Sequence, residues 1–330
     1  MRTRGLVLNA RPEGALTSEH VRIVELTVPD QAPLLLQPRY ISVDPYMRTR
    51  MHPAGYDYID HWHAGSSLSG WTLAKVVNSH HPGFSAGDWV IGHLPMQEHV
   101  ASDGQVLTRL AQDVDPKAYL HPLGMTGFTA WVGMHLLGQP NPNDTVLINA
   151  AAGAVGSIAA QLAKQAGARI VVTAGHKNKR AWLSSLGFQK VLNHRAPDYH
   201  QQLSTACPDG ITLNFENVGG DALSAAIDVM RPHGRIILCG LISQYQTPQP
   251  KRGPDNLGLL QRKHVPIHPF VVPHFMKHWA SFQRDMTQRL SSQQIHWHLD
   301  EIPGGLESVA PALIGLLEGD NLGKRIVAMP

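Results

Sequence analysis

The chain has 330 residues, a mass of 36.1 kDa and a formal charge of +3 with a pI near 8.9. That length suits two domains at about 150 residues each, and 43% hydrophobic residues exclude a disordered or fibrous chain. No run of about 18 apolar residues occurs, Leu6-Val7-Leu8 is too short for a signal-peptide core, and Lys and Arg are dispersed, so a membrane span, a secretory leader and a nucleic-acid footprint are not expected.

A soluble, cytoplasmic protein is expected instead. Cys207 and Cys239 are the only cysteines, too few for a disulfide framework or a Cys-rich zinc site, and no metal is expected. The 20 histidines cluster in part, as in His61-x-His63, His80-His81 and His296-x-His298. On a strand such i,i+2 pairs would share a face, which suits either a metal or a solvated surface.

Residues 1 to about 120 read as β structure. Apolar or alternating runs at Gly5 to Leu8, Val21 to Val28, Leu34 to Ser42, Trp71 to Val77 and Trp89 to Gly92 are separated by Pro, Gly, Asn and Asp, a spacing that predicts a barrel or partly open sheet. Asp44-Pro45 breaks the third of these runs. From His121 the period changes, with a helical stretch from Leu123 to Leu137 containing Gly124, Gly127 and Gly133. Strands at 145–150, 169–174, 190–192, 211–215 and 234–239 then alternate with helices at 155–166, 178–186, 198–205 and 221–230. This is the rhythm of a doubly wound parallel sheet. A Pro- and Gln-rich loop runs to about Pro254, and a loop that long beyond a strand is more often functional than idle. Val265 to Val272 predicts a further strand and Phe275 to Leu290 a helix. The tail adds a strand at Trp297 to Ile302, a helix at Leu306 to Leu317 and a strand led by Gly323, and is expected to rejoin the first domain.

The chemistry centres on Asn149 to Gly156. The stretch follows an apolar strand and opens a helix, and Ala151-x-Gly153-x-x-Gly156 fits the dinucleotide-binding fingerprint with alanine at the first glycine position. Gly153 would let the backbone approach a pyrophosphate, Gly156 would let helix and strand pack closely, and free N–H groups at the helix start would hold phosphate. An NAD site places an acidic side chain about 20 residues on. Here Val171 to Arg180 carries no carboxylate, and Lys177, Lys179 and Arg180 follow instead. Those cations favour a 2′-phosphate and therefore NADPH. Glu216 to Gly220 and Cys239-Gly240 stand at the carboxyl ends of later strands, where ligands of open α/β sheets bind.

With these pieces together, the chain resembles the medium-chain dehydrogenase/reductase superfamily, in its zinc-free branch of NADPH-dependent alkenal/one reductases. The resemblance spans nearly the whole chain and rests on Ser42 to Arg48, Gly87 to Val90, Asn149 to Gly156, Glu216 to Gly220, Cys239 to Tyr245, Phe270 to Val272 and Gly319 to Lys324. It implies an α/β protein, a Rossmann doubly wound parallel sheet (121–294) plus a GroES-like β-barrel catalytic domain (1–120 and 295–330), usually a homodimer, with cofactor between the domains. It also implies NADPH contacts at Ala152, Gly153, Ala154, Val155 and Gly156, at Lys179 and His194 near the 2′-phosphate, and at Asn217. Further contacts would come from Cys239, Gly240, Ile242, Ser243 and Tyr245, from Phe270, Val271 and Val272, and from Asn321. His194 stands where the family carries a tyrosine, and Arg262 where some relatives carry an active-site tyrosine.

The implied reaction is conjugate reduction of an α,β-unsaturated ketone or aldehyde, with the enolate oxygen stabilised by a donor. Tyr46 is the first candidate, with Tyr245, Tyr56 and Tyr58 behind it. Quinone reduction and a catalytically idle NADPH-binding interaction or redox-sensing protein are the alternatives.

Overall fold

The alternating runs near the N-terminus form strands β1 (Arg2–Leu8), β2 (Val21–Thr27), β3 (Leu34–Ser42), β4 (Ser69–Ser79), β5 (Trp89–Pro95), β6 (Val100–Ser102) and β7 (Leu107–Arg109), with one short helix, α1 (Tyr46–Thr49), after β3. These come from a computed structural model that describes residues 1–29, 31–53, 58–246 and 253–330. Among the described residues the chain divides into two units, Met1–His121 with Leu299–Pro330, and Pro122–His298.

In the first unit β1 and β2 pair antiparallel, with Arg2 opposite Thr27. A separate sheet has the order β14-β15-β3-β4-β5-β7, in which β14 (Leu299–Ile302) and β15 (Lys324–Ala328) come from the C-terminal tail and β6 pairs with β3. Pro38 has no N–H to give to the ladder, and the β3–β4 register shifts beside it, between Pro38 and Tyr40. The tail helix α9 (Val309–Glu318) supplies Val309, Leu313 and Leu316 to a core that also holds Leu8, Ile41, Met47 and Val327, so the tail does rejoin the first unit.

The second unit opens with α2 (Met125–Trp131), which continues as a π-helix from Val132 to Gly138 instead of the uninterrupted α-helix expected. Close packing explains the glycine there: a Cβ on Gly133 would lie 2.3 Å from the Phe215 ring. Next come β8 (Thr145–Ile148), α3 (Ala154–Gln165), β9 (Arg169–Thr173), α4 (Lys177–Ser185), β10 (Lys190–Leu192) and α5 (Tyr199–Ala206). The unit is completed by β11 (Ile211–Glu216), α6 (Gly220–Asp228), β12 (Met230–Leu238), α7 (Gly258–Arg262), β13 (Ile267–Pro269) and α8 (Trp279–Ser291). The strand expected over Val265 to Val272 shrinks to three residues, because Pro269 ends the pairing and a 3-10 turn runs from Val272 to His278.

All ladders of this unit are parallel, in the order β10-β9-β8-β11-β12-β13. The chain runs outward in one direction from β8 and then restarts on its other side at β11. Ile148 pairs with Phe215, so the loops leaving β8 and β11 emerge side by side. That is the switch point at which doubly wound sheets bind ligands.

In the first unit the Ser42 to Arg48 motif is locked to the tail by a buried ion pair. Lys324 Nζ donates to Asp44 Oδ1 at 2.6 Å and to the Val43 carbonyl at 2.8 Å, and Ser42 Oγ donates to the other Asp44 oxygen. Lys324 is 1% exposed and Asp44 7%. Losing one member leaves the other charge buried and alone, so Lys324→Met should lower stability by about 3–5 kcal/mol in urea unfolding. The pair Asp44→Leu with Lys324→Met should recover much of that loss. A single substitution that leaves the transition unmoved would contradict this.

Candidate functional site

The Asn149 to Gly156 stretch forms a tight turn between β8 and α3. Within it Ala150 adopts left-handed backbone, with φ 50°. An alanine there carries strain of about 1 kcal/mol. The Ala150 carbonyl accepts from Gly153 N–H at 3.0 Å and closes the turn.

Gly156 is required by contact. A Cβ at that position would lie 2.5 Å from the Ala150 oxygen and 2.9 Å from the Ala151 Cα, so only glycine lets α3 sit on the turn. Gly153 has a different function. A Cβ there would meet only the Ala150 oxygen, at 3.3 Å, leaving the helix entrance open. Gly153 caps α3 without a side-chain hydrogen bond, and no acidic residue stands in the first turn. The N-terminus of α3, which begins with Ala154, Val155 and Gly156, thus has the character of an anion-binding helix start, and Ala152 before it is buried.

At the end of β11, Glu216 is fully buried and accepts four hydrogen bonds. Oε1 takes the N–H groups of Val218 at 2.7 Å and Gly219 at 2.9 Å, while Oε2 takes the side-chain amides of Asn149 and Asn214, both at 2.9 Å. Its own carbonyl accepts from the N–H groups of Cys239 at 2.9 Å and Gly240 at 3.1 Å. Asn217 extends the same network, donating from Nδ2 to the Asn149 carbonyl at 2.9 Å. Thr173 Oγ1 donates to Asn149 Oδ1 at 3.1 Å, which joins β9 to the group.

The Cys239 to Tyr245 segment folds back on this rim. Ile242 N–H donates to the Asn217 carbonyl and Ser243 N–H to that of Val218, both at 3.1 Å. The Ser243 hydroxyl is buried and has no hydrogen-bond partner among the described residues. Tyr245 Oη accepts from the Leu241 N–H at 3.3 Å, so the side chain fastens its own loop. Burial and the Glu216 carboxylate push the Cys239 thiol up to about 12, which keeps it protonated at neutral pH. Phe270 N–H donates to the Leu238 carbonyl at 3.4 Å, bringing Phe270, Val271 and Val272 past the end of β12.

Cations gather where β9 and β10 end. Lys179 lies buried in the first turn of α4, and Arg180 Nη1 donates to the Gly175 carbonyl at 2.5 Å. Arg195, which no sequence motif singled out, joins them with Nη1 at 3.1 Å from His176 Nε2. Burial, and then Arg195 and Lys179, lower the His194 imidazole to about 4, and its buried Nδ1 has no partner among the described residues.

Tyr46 and Asn321 belong to the first unit. Asn321 Nδ2 donates to the Gly323 carbonyl at 2.9 Å and shapes the turn before β15. Tyr46 is the first residue of α1, and its hydroxyl is buried without a hydrogen-bond partner among the described residues. Nearby Arg50 is fixed by the Asp60 carbonyl at 2.8 Å, by Ser69 Oγ at 3.1 Å and by the Trp62 ring at 4.3 Å. Its Nη1 stands 3.4 Å from His93 Nε2. Burial, then Arg50, lowers the His93 imidazole. Tyr58 is exposed, and Arg262 ends α7 with an exposed side chain. Tyr56 and most of the Pro- and Gln-rich loop, residues 247–252, lie outside the described residues. The histidine pairs are not on strands: His61 and His63, and His296 and His298, occupy irregular backbone, so the shared face expected of them does not form. His, Cys, Asp and Glu form no cluster suited to a metal among the described residues.

Comparison with known proteins agrees with this geometry. A family described as the N-terminal domain of oxidoreductase matches residues 4–110, and one described as zinc-binding dehydrogenase matches residues 154–286. The chain is 38% identical to the NADPH-dependent curcumin reductase of Escherichia coli, over 99% of this chain and 96% of that one. The chain belongs to the medium-chain dehydrogenase/reductase superfamily. It is also 35% identical to the NADP(+)-dependent 2-alkenal reductase of Nicotiana tabacum, over 92% of this chain and 90% of the other. Among solved structures, CurA of Vibrio vulnificus in complex with NADPH superimposes with a TM-score of 0.93 at 36% identity, covering 99% of both chains. No described helix is long and apolar enough to cross a membrane.

The residue that sequence reading undervalued is Glu216, although an acidic side chain closing an apolar strand was a visible signal. Glu216→Gln turns one acceptor oxygen into a donor facing two N–H groups. It should cost about 3 kcal/mol of stability and weaken dinucleotide binding. Unfolding and a cofactor titration on the same variant check both effects.

Proposed function

We propose that this chain is an NADPH-dependent reductase of the C=C bond of α,β-unsaturated ketones and aldehydes. Its curcumin- and alkenal-reductase relatives, and a neighbour solved with NADPH, support the reading. The residues present fit the dinucleotide. The uncapped start of α3 and the open face of Gly153 suit its pyrophosphate, and the buried Ser243 Oγ, without a partner among the described residues, would add a polar contact. Lys179, Arg195 and His194 suit its 2′-phosphate. When bound, NADPH supplies a hydride.

The observation that carries the protein's share of the chemistry is the buried Tyr46 hydroxyl, which has no hydrogen-bond partner among the described residues. Reduction at the β-carbon of an enone puts negative charge on the substrate oxygen. A buried O–H donor aimed at that oxygen stabilises the charge without reorganising. Burial, reinforced by Asp44, raises Tyr46 above the ordinary phenol value of about 10, so it donates a hydrogen bond and keeps its proton. Solvent then protonates the α-carbon. Tyr245, already engaged with the Leu241 N–H, is the secondary donor.

In this reading the second unit is the Rossmann NADPH-binding domain and the first the GroES-like catalytic domain. We also propose a zinc-independent reaction. Both cysteines lie in the second unit with thiols raised by burial, a poor source of thiolate ligands. A cytoplasmic homodimer is proposed on the family resemblance.

Tyr46→Phe should lower kcat for an enone by about 10²-fold and leave the KM for NADPH nearly unchanged; full kcat in this variant removes Tyr46 from the mechanism. Parallel assays with an alkenal and a quinone separate the rival activity, and preferred turnover of the quinone would favour it. His194 gives a second, independent test. Its NMR titration should centre near 4 without ligand and move upward with NADP⁺ but not with NAD⁺, since only the former brings a 2′-phosphate. Because the bound imidazole then has the higher value, proton uptake accompanies binding, and NADPH affinity strengthens as pH falls between the two values. An unmoved His194 resonance would place the 2′-phosphate elsewhere.

A further inference from the structure

The starts of four adjacent strands frame a cleft at the amino-terminal edge of the parallel sheet, the end opposite Gly153. Thr145 begins β8, Arg169 begins β9, Lys190 begins β10 and Gly210 precedes β11, and the space they border measures about 510 Å³. That volume is in the range of small-molecule sites. Substrates and cofactors of open α/β sheets bind at the other edge, so nothing in the reductase reading uses this cleft.

Its lining has two characters. Ile170, Phe188 and Pro208 give an apolar wall, and Lys164, Arg169 and Lys190 bring three positive charges against the single carboxylate of Asp209. Lys164 is already committed, donating to the Leu186 and Gly187 carbonyls at 3.0 and 3.2 Å and standing 5.4 Å above the Phe188 ring. Arg169 uses only Nε, which donates to Thr145 Oγ1 at 3.2 Å. Neither Arg169 nor Lys190 enters an ion pair among the described residues. Both nevertheless act on one place. Cys207 is buried in the cleft wall, and its sulfur feels Lys190 and Arg169 as its two neighbouring positive charges. Burial outweighs them and lifts the thiol to about 11, so at neutral pH it offers no anion to either cation.

Two converging cations without a counter-ion, beside an apolar wall, define the ligand by charge and shape. We propose that this cleft binds a small amphipathic carboxylic acid, its carboxylate between Arg169 and Lys190 and its hydrocarbon body along Ile170 and Phe188. Arginine recognises a carboxylate with paired N–H donors, and lysine adds a point charge. The dinucleotide edge stays free, so both ligands bind at once.

Octanoate is the probe, titrated calorimetrically into the full-length protein saturated with NADP⁺ at low salt. Saturable one-site binding is expected, weakening by about tenfold or more in Arg169→Gln with Lys190→Gln, and measurably in Lys190→Gln alone. Octan-1-ol, of the same length without the charge, should bind at least about tenfold more weakly. Unchanged NADP⁺ affinity in the variants certifies that they are folded. Absence of saturable octanoate binding, equal affinity in the variants, or equal affinity for octanol each overturns the proposal. Equal affinity in the variants would assign octanoate to another surface.

Discussion

The buried carboxylate of Glu216 is the interaction on which the ligand-facing edge of the second unit depends. Its two oxygens take four N–H donors from the β8 loop, from β11 and from the turn leading into α6, and its backbone carbonyl holds the first two residues after β12. Out of contact with water, each of those donors would otherwise be stranded at a cost of about 1–3 kcal/mol. One side chain therefore fixes the positions of Asn149, Asn217 and the Cys239 to Tyr245 segment together. Among the described residues Ser243 Oγ then has no hydrogen-bond partner, and the α3 N-terminus carries no side-chain cap. The sheet order places this carboxylate at the switch point, where opposed directions of winding open a crevice.

The first unit shows the same principle with opposite charges. Asp44 and Lys324 lie 280 residues apart, yet their buried pair holds the loop that leads into α1 against the C-terminal strand. Tyr46 begins that helix. A rigid mount is what a buried hydroxyl needs if it is to meet developing charge without rearranging. Arg50, tied to backbone, serine and aromatic ring at once, adds a fixed cation to the Tyr46 environment.

Periodicity made much of this legible beforehand. The βαβ rhythm from Thr145 onward matches the strands and helices to within a few residues, because amphipathic helices and buried parallel strands leave local patterns. The Gly153 to Gly156 turn and the cations after β9 stand in consecutive residues, so their places in the fold could also be read locally. What escaped was long-range or conformational. No local pattern shows that Asp44 meets Lys324, that Arg195 folds back beside His176, or that Ala150 takes a left-handed turn. The strand expected over Val265 to Val272 failed because Pro269 limits it, and the Leu123 to Leu137 helix changed register where Phe215 packs on Gly133. The Tyr46 hydroxyl could be named from sequence, but its burial without a partner among the described residues could not.

The central claim is that the cofactor held at α3 reduces a carbon–carbon double bond whose oxygen is met by a protein donor. Its most direct test is NMR analysis of the product formed from an α,β-unsaturated ketone with NADPH deuterated at the transferable position. The account predicts a saturated ketone with one deuterium on the β-carbon and a solvent-derived proton on the α-carbon. An allylic alcohol with deuterium on the carbonyl carbon would contradict it.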